Sequence, residues 1–392
     1  MIRVLIVEQG VGLWGAQRYL LRLAPLLEAR GVEQVLAAPA DSATAEAWRR
    51  SGRRHVVLAV PPERSVRTPD GGLSARLAAR EFARTLLLAQ RTARLARRVG
   101  ADVIHANSHW SHVECVLAAR SSGRRVVLHL HEESDTDALG RLRGLAVLAA
   151  DATIAVSGAV ARSLGATARR RAIVIRNGID ADRLRPGAAR PELRELVSAG
   201  DPDALVLLSL SRLDPRKGVD HLIRAVARLP ADLSHVRLVV AGAPSLDPAN
   251  GERLRALAAE LLGARVTFLG PRDDVPDLLR AADVFVLASS LEGLPLTILE
   301  AQACGTPVVA YPTAGIPEVV THGETGLLAR AGSVDDLAAQ IAAIARSPAL
   351  RATLGRRGRE RVVADSSLEL QADRQAAVLR DVTARDRRPP RS

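Results

Sequence analysis

Short apolar runs alternate with longer stretches of helical periodicity along almost the whole chain. Runs at 2–7, 34–38, 55–60, 102–105, 125–130, 152–156 and 172–176 read as strands, and helices fit 15–30, 74–98, 110–121 and 137–149. Strands alternating with helices argue for a parallel sheet covered on both faces. The stretch 179–203, with Pro186, Pro191 and Pro202, breaks the rhythm and reads as a linker. The alternation restarts at 204–210 and continues through 236–241, 265–269, 283–288, 307–310 and 326–328. The pattern therefore predicts an α/β protein of two Rossmann-like, doubly wound domains, at 1–180 and 204–365, with a linker at 181–203 and strand ends facing a cleft. An amphipathic stretch at 366–384 follows, and the Arg- and Pro-rich residues 385–392 read as a disordered tail.

Composition narrows the partners. Hydrophobic residues make up 47% of the 392 residues but aromatics only 2%, so the cores must be Leu, Val, Ala and Ile. The net charge of +12 would suit a nucleic-acid partner, yet the arginines are spread along the chain and aromatics for base stacking are scarce. No nucleic-acid partner is expected. Two cysteines, Cys115 and Cys304, form neither a disulfide framework nor a metal spacing. The first strand starts at once and no apolar run reaches about 18 residues, so a cytoplasmic protein is expected. The helix over 74–98 carries Arg76, Arg80, Arg84, Arg91, Arg94, Arg97 and Arg98 against one acid, Glu81, with Leu77, Leu86 and Leu87 as apolar positions. Such a helix could lie on an anionic membrane, although an Arg-rich solvated face is the simpler reading.

The chemistry concentrates at 289–311. An apolar strand ends at Ala288 and a polar turn brings Glu292. Gly293-Leu294-Pro295 then opens a helix carrying Glu300, and Gly305 and Pro307 close it before the strand 308–310. Pro295 suits a first helical position, and the free N–H groups of such a helix start form a ready anion site. Two carboxylates eight residues apart flank that start. Upstream, the chain's one lysine, Lys217, lies in Leu208-Ser-Leu-Ser-Arg-Leu-Asp-Pro-Arg-Lys-Gly218, a strand, turn and helix start. Where arginine is used almost everywhere else, a surviving lysine points to a crowded phosphate site, since the two cations are not interchangeable there.

The Glu292-x7-Glu300 string with its Glu-Ala-x-Ala-x-Gly-x-Pro-Val-Val-Ala continuation resembles the motif of retaining glycosyltransferases of family 4. Ser211-Arg212-Leu213 through Lys217-Gly218 resembles the same family's Arg/Lys motif. The resemblance implies the GT-B fold of two Rossmann-like domains, with the last helix crossing back onto the first. It implies a sugar transferred from a nucleotide diphosphate, of the UDP or GDP class, to an acceptor hydroxyl on a sugar, a lipid-linked glycan or a small molecule. Arg212, Lys217 and the segment of Gly293, Leu294, Leu296 and Thr297 would hold the diphosphate, Glu300 the ribose, and Glu292 the transferred sugar. The resemblance implies neither metal nor cofactor. A histidine ends the strand Arg125-Val-Val-Leu-His-Leu-His131, and His131 fits the family register better than His129. His105, His109 and His112 fall at helical spacing but lack the partners of a metal site.

After the first strand, Gly10-Val-Gly12-Leu-Trp-Gly15 spells a dinucleotide fingerprint, which keeps an NAD(P)-dependent dehydrogenase in view. The acid that should close the second strand is missing until Asp41. The loop is also similar to the family's glycine-rich loop, with Gly12 and Gly15 approaching phosphates or acceptor and Trp14 in place of a glycine. A GT-B sugar-nucleotide epimerase and a catalytically silent sugar-nucleotide binder remain alternatives. Asn177-Gly178 reads as a positive-φ turn at the domain boundary. Loop 61–72 is expected to border the acceptor.

Overall fold

The computed structural model describes residues 1–61, 74–134, 138–244 and 247–384. Residues 62–73, nearly all of the loop expected to border the acceptor, and the tail 385–392 lie outside the described residues. The chain divides into two compact units. One comprises Met1–Arg176 with the chain from Glu369 onward, and the other Asn177–Leu368.

The first unit holds a parallel sheet of β1 (Ile2–Val7), β2 (Val32–Ala38), β3 (His55–Val57), β4 (Val103–Ala106), β5 (Arg125–Leu130), β6 (Ala152–Ala155) and β7 (Ala172–Val174). Their order is β3-β2-β1-β4-β5-β6-β7, so the winding reverses between β1 and β4. Apolar runs such as Val4–Val7 and Val126–Leu128 are buried, as both faces of a covered parallel sheet require. The second unit repeats the plan with β8 (Leu205–Leu210), β9 (Val236–Ala241), β10 (Val266–Gly270), β11 (Val284–Leu287), β12 (Val308–Ala310) and β13 (Leu327–Leu328), in the order β10-β9-β8-β11-β12-β13. Its reversal falls between β8 and β11.

Two expectations need correction. The stretch 181–203 is not a separate linker, because it belongs to the second unit and contains the helix Pro191–Ser198. Pro191, read as a breaker, occupies the first helical turn, where its missing N–H costs nothing. Leu193 and Val197 are buried, and Arg194 bonds Asp283 Oδ2 at 2.9 Å and the carbonyls of Ala204 and Ala281.

The returning helix expected over roughly 366–384 is reached through a short break. Helix Pro348–Asp365 ends, Ile179 N–H donates to Ser366 O at 2.8 Å, Leu368 N–H donates to Ile179 O at 3.0 Å, and a new helix runs Leu368–Ala384. This contact also explains Gly178. Neither Asn177 nor Gly178 has a positive φ. A Cβ on Gly178 would instead lie 2.5 Å from Ser367 O, so the glycine serves close backbone approach, not turn geometry.

Helix Leu368–Ala384 packs within the first unit. Tyr19 Oη donates to Gln375 Oε1 at 2.6 Å, with both side chains buried. Arg30 reaches Asp373 and Glu369, each at 2.7 Å, but those carboxylates are 66% and 64% exposed. Exposed pairs contribute about 1 kcal/mol or less, whereas an orphaned buried acceptor costs about 1–3 kcal/mol. Tyr19→Phe is therefore expected to destabilise the chain more than Arg30→Ala in urea denaturation. The reverse order would show that the surface pairs, not the buried bond, fasten this helix.

Candidate active site

In an open α/β sheet, ligands bind past the carboxyl ends of the strands where the order reverses. In the second unit that place is the end of β8 and β11. Beyond β8, residues 211–214 lead into the short 3-10 turn Pro215–Lys217, and Gly218 follows at φ +64°. A Cβ on Gly218 would run into the Ala288 carbonyl, so only glycine lets this turn lie against the end of β11. Ser290 N–H donates to Arg216 O at 2.9 Å and ties the two loops together.

The result is a direct ion pair. Lys217 Nζ donates to Glu292 Oε1 at 2.6 Å, and the two side chains are only 16% and 10% exposed. In the same loop after β8, the Arg212 guanidinium stands 3.1 Å from the buried Asp214 carboxylate. The structure thus brings together Lys217 and Glu292, which the sequence reading assigned to diphosphate and sugar separately.

The helix that follows is Leu296–Ala303, and it has no side-chain cap. Pro295 is its N-cap, not its first residue, because ψ of 121° is still extended. Leu296 and Thr297 are half-buried and Glu300 is buried. Gly293 and Leu294 are held by their carbonyls, which accept from Gly315 N–H at 3.0 Å and Asn177 Nδ2 at 3.0 Å. Asn177 was read only as a turn residue. Its role in clamping the loop before the helix involves a partner 117 positions away, and no local pattern signals it. A cavity of about 420 Å³ is lined by Pro215, His221, Asn250, Ser289 and Tyr311 among others, and Lys217, Glu292 and Glu300 do not line it.

In the first unit, a histidine cluster occupies the ends of β4 and β5. His105 lies in β4, His109 in a 3-10 turn, and His112 starts the helix His112–Ser122. His112 Nε2 donates to His129 O at 3.1 Å, and His105 Nε2 lies 3.3 Å from His129 Nδ1. His129 and His131 stack at 4.2 Å, with His129 fully buried and His131 half-buried just past the strand end. Burial is the largest influence on each ring, pushing His105 down to about 4, His112 and His131 to about 3, and His129 well below the ordinary imidazole range. All four are neutral at physiological pH. His109 instead pairs with Glu132 at 3.1 Å. Among the described residues no three His, Cys, Asp or Glu side chains gather as a metal site.

The glycine loop leaves β1 at Glu8. Gly10 N–H donates to Glu8 Oε1 at 2.7 Å, and a Cβ on Gly10 would sit 3.0 Å from that oxygen. Trp14 is the N-cap of helix Gly15–Ala29, and its indole lies where a Cβ on Gly12 would go.

Comparison with known proteins decides the family. A model of "Glycosyltransferase Family 4" matches residues 14–183, and one of "Glycosyl transferases group 1" matches 197–361. The chain belongs to the group 1, family 4 glycosyltransferases. It is 41% identical over 180 residues to D-inositol 3-phosphate glycosyltransferase of Mycobacterium avium (strain 104), covering 45% of this chain and 41% of that protein. A Kribbella flavida protein of the same name is 40% identical over 191 residues, covering 47% and 45%. These matches span less than half the length of the curated relatives. Among solved structures, Anabaena HepE in complex with UDP and glucose superposes with a TM-score of 0.81 at 24% identity, covering 97% of this glycosyltransferase and 100% of HepE. Sucrose-phosphate synthase from Thermosynechococcus elongatus gives 0.78 at 22% identity, covering 98% and 100%. The fold is GT-B.

Glu8 gives a stability prediction. Burial raises its carboxyl above the usual range, outweighing the bonds from Asn107, Gly10 and Gln17 that lower it. A group raised in this way contributes stability below its unfolded-state pKa and loses it as the pH climbs through the folded-state value. Glu8→Gln should therefore melt above the natural chain at about pH 8, with the gap closing towards about pH 4. Equal or lower melting at the alkaline end would contradict this.

Proposed function

We propose that this glycosyltransferase moves a sugar from a nucleotide diphosphate donor to an acceptor hydroxyl, retaining the anomeric configuration and using no metal. The observation that carries the reading is the Lys217–Glu292 pair at 2.6 Å, set beside an uncapped helix start at the reversal point of the second sheet. As the sugar departs, negative charge grows on the diphosphate. Lys217, Arg212 and the free N–H groups of Leu296 and Thr297 supply positive potential fixed in advance. Glu300 would take the ribose hydroxyls, and Glu292 would favour the cationic sugar of the transition state. His131, neutral, would bond a sugar hydroxyl. The departing phosphate would assist in taking the acceptor proton, so no dedicated base is needed.

A uridine donor is favoured, because HepE is described in complex with UDP and with UDP-glucose. The inositol 3-phosphate named for the curated relatives supports a small polyol acceptor. Thermal shift against UDP-, GDP- and ADP-sugars and NAD(P), with and without EDTA, tests the donor. A chelator-insensitive rise with UDP-sugars is expected, and Lys217→Ala should lower turnover roughly a hundredfold or more. A rise seen only with NAD(P) would restore the glycine fingerprint as the governing signal.

A membrane contact is a second reading that one observation favours. Helix Ala75–Val99 buries Leu88, Ala93, Ala96 and Val99, yet leaves Phe82 66%, Leu86 41% and Leu87 40% exposed. Arg76, Arg80, Arg94 and Arg98 are exposed along the same helix. Apolar side chains beside unopposed arginines suit an anionic lipid surface. No helix among the described residues is long and apolar enough to cross a membrane, so the contact would be peripheral. Co-flotation with phosphatidylglycerol vesicles, weakened by salt and by Phe82→Ser with Leu86→Ser, is expected. Equal behaviour with phosphatidylcholine vesicles would remove the idea.

A further inference from the structure

Three polar residues stand immediately past the ends of three adjacent strands. Glu8 follows β1, Asn107 follows β4 and His131 follows β5. They form one hydrogen-bonded chain. Asn107 Nδ2 donates to Glu8 Oε2 at 2.6 Å, and Asn107 Oδ1 lies 3.0 Å from His131 Nε2. Asn107 itself is fixed, since its backbone N–H donates to Val7 O at 3.1 Å. The other Glu8 oxygen is committed to Gly10 N–H at 2.7 Å. Glu8 and Asn107 are 0% and 1% exposed.

We infer that Glu8 and Asn107 are positioning residues that set the tautomer of His131. Both Glu8 oxygens accept, one from Gly10 N–H and one from the Asn107 NH₂, so the Asn107 amide turns its oxygen to the imidazole. The oxygen in turn requires the proton on Nε2. Nδ1 is then bare and can accept a hydrogen bond but not give one. On the glycosyltransferase reading, with which this role of His131 stands or falls, the ring receives a sugar hydroxyl as donor and holds its oxygen lone pairs free. A buried carboxylate is costly to keep. Tautomer control accounts for one at the end of β1, with the glycine loop anchored to its other oxygen.

The relay makes a sharp prediction. In Glu8→Gln the new side chain must point its oxygen at Gly10 N–H, because two donors cannot face each other. Its NH₂ then faces Asn107, the Asn107 amide flips, and its own NH₂ is turned to His131 Nε2. The proton must move to Nδ1. The test is ¹H–¹⁵N long-range NMR of the full-length protein at neutral pH, with His131 assigned through His131→Gln. The natural chain should show Nε2 protonated, Glu8→Gln should show Nδ1 protonated, and Asn107→Ala should give a mixture. A natural chain protonated on Nδ1, or a tautomer unchanged in both variants, overturns the inference. Turnover in Glu8→Gln should fall about tenfold or more, the worth of one lost hydrogen bond, with the KM for the nucleotide sugar little changed. An inverted tautomer with undiminished turnover would uphold the positioning and instead sink the proposed sugar contact of His131.

Discussion

The ion pair between Lys217 and Glu292 is the constraint around which the second unit is arranged. Two charges that are 16% and 10% exposed have lost most of their hydration, which mutual attraction must offset. That requires the loops after β8 and β11 to be held in register. Gly218 against the Ala288 carbonyl, Ser290 on Arg216, and Asn177 on Leu294 do this. The first two are main-chain contacts and the third sets the Asn177 side chain on a main-chain carbonyl, so the loop backbones are located and the charges ride on them. Without donor, each charge satisfies the other. On the proposed function, a diphosphate would compete for the same lysine and release Glu292 towards the sugar. On that proposal the pair is a resting arrangement whose rupture would free both partners.

The first unit shows the opposite economy of charge. Its strand ends carry neutral imidazoles, kept neutral by burial, with one buried carboxylate, Glu8, bonded on both oxygens. Neutral rings there fit recognition of uncharged hydroxyls. Charged groups in the second unit fit recognition of phosphate. The division of chemistry follows from which residues occupy the first positions past the strand ends at each reversal of winding.

Much of this was legible in the sequence. The apolar runs located nearly every strand to within two or three residues, because a covered parallel sheet needs them. The Glu-x7-Glu string and the lone lysine marked the residues the structure pairs. The errors share one cause. Pro191 and the Asn177-Gly178 dipeptide were read by local turn chemistry, but Pro191 starts a helix and Gly178 answers to Ser367, far along the chain. The helix Ala43–Arg50 went unread although Ser42 caps it through Ala45 N–H, a short signal lost among alanines. Asn107 was missed because its partners, Glu8 and His131, are 99 and 24 positions away.

Calorimetric binding of UDP, without its sugar, to Glu292→Gln and to the natural chain addresses the central claim most directly. If Lys217 must leave Glu292 to grip the diphosphate, removing the competing carboxylate should tighten UDP binding while turnover falls. Weaker or unchanged UDP affinity would contradict the account and reduce the pair to a structural brace.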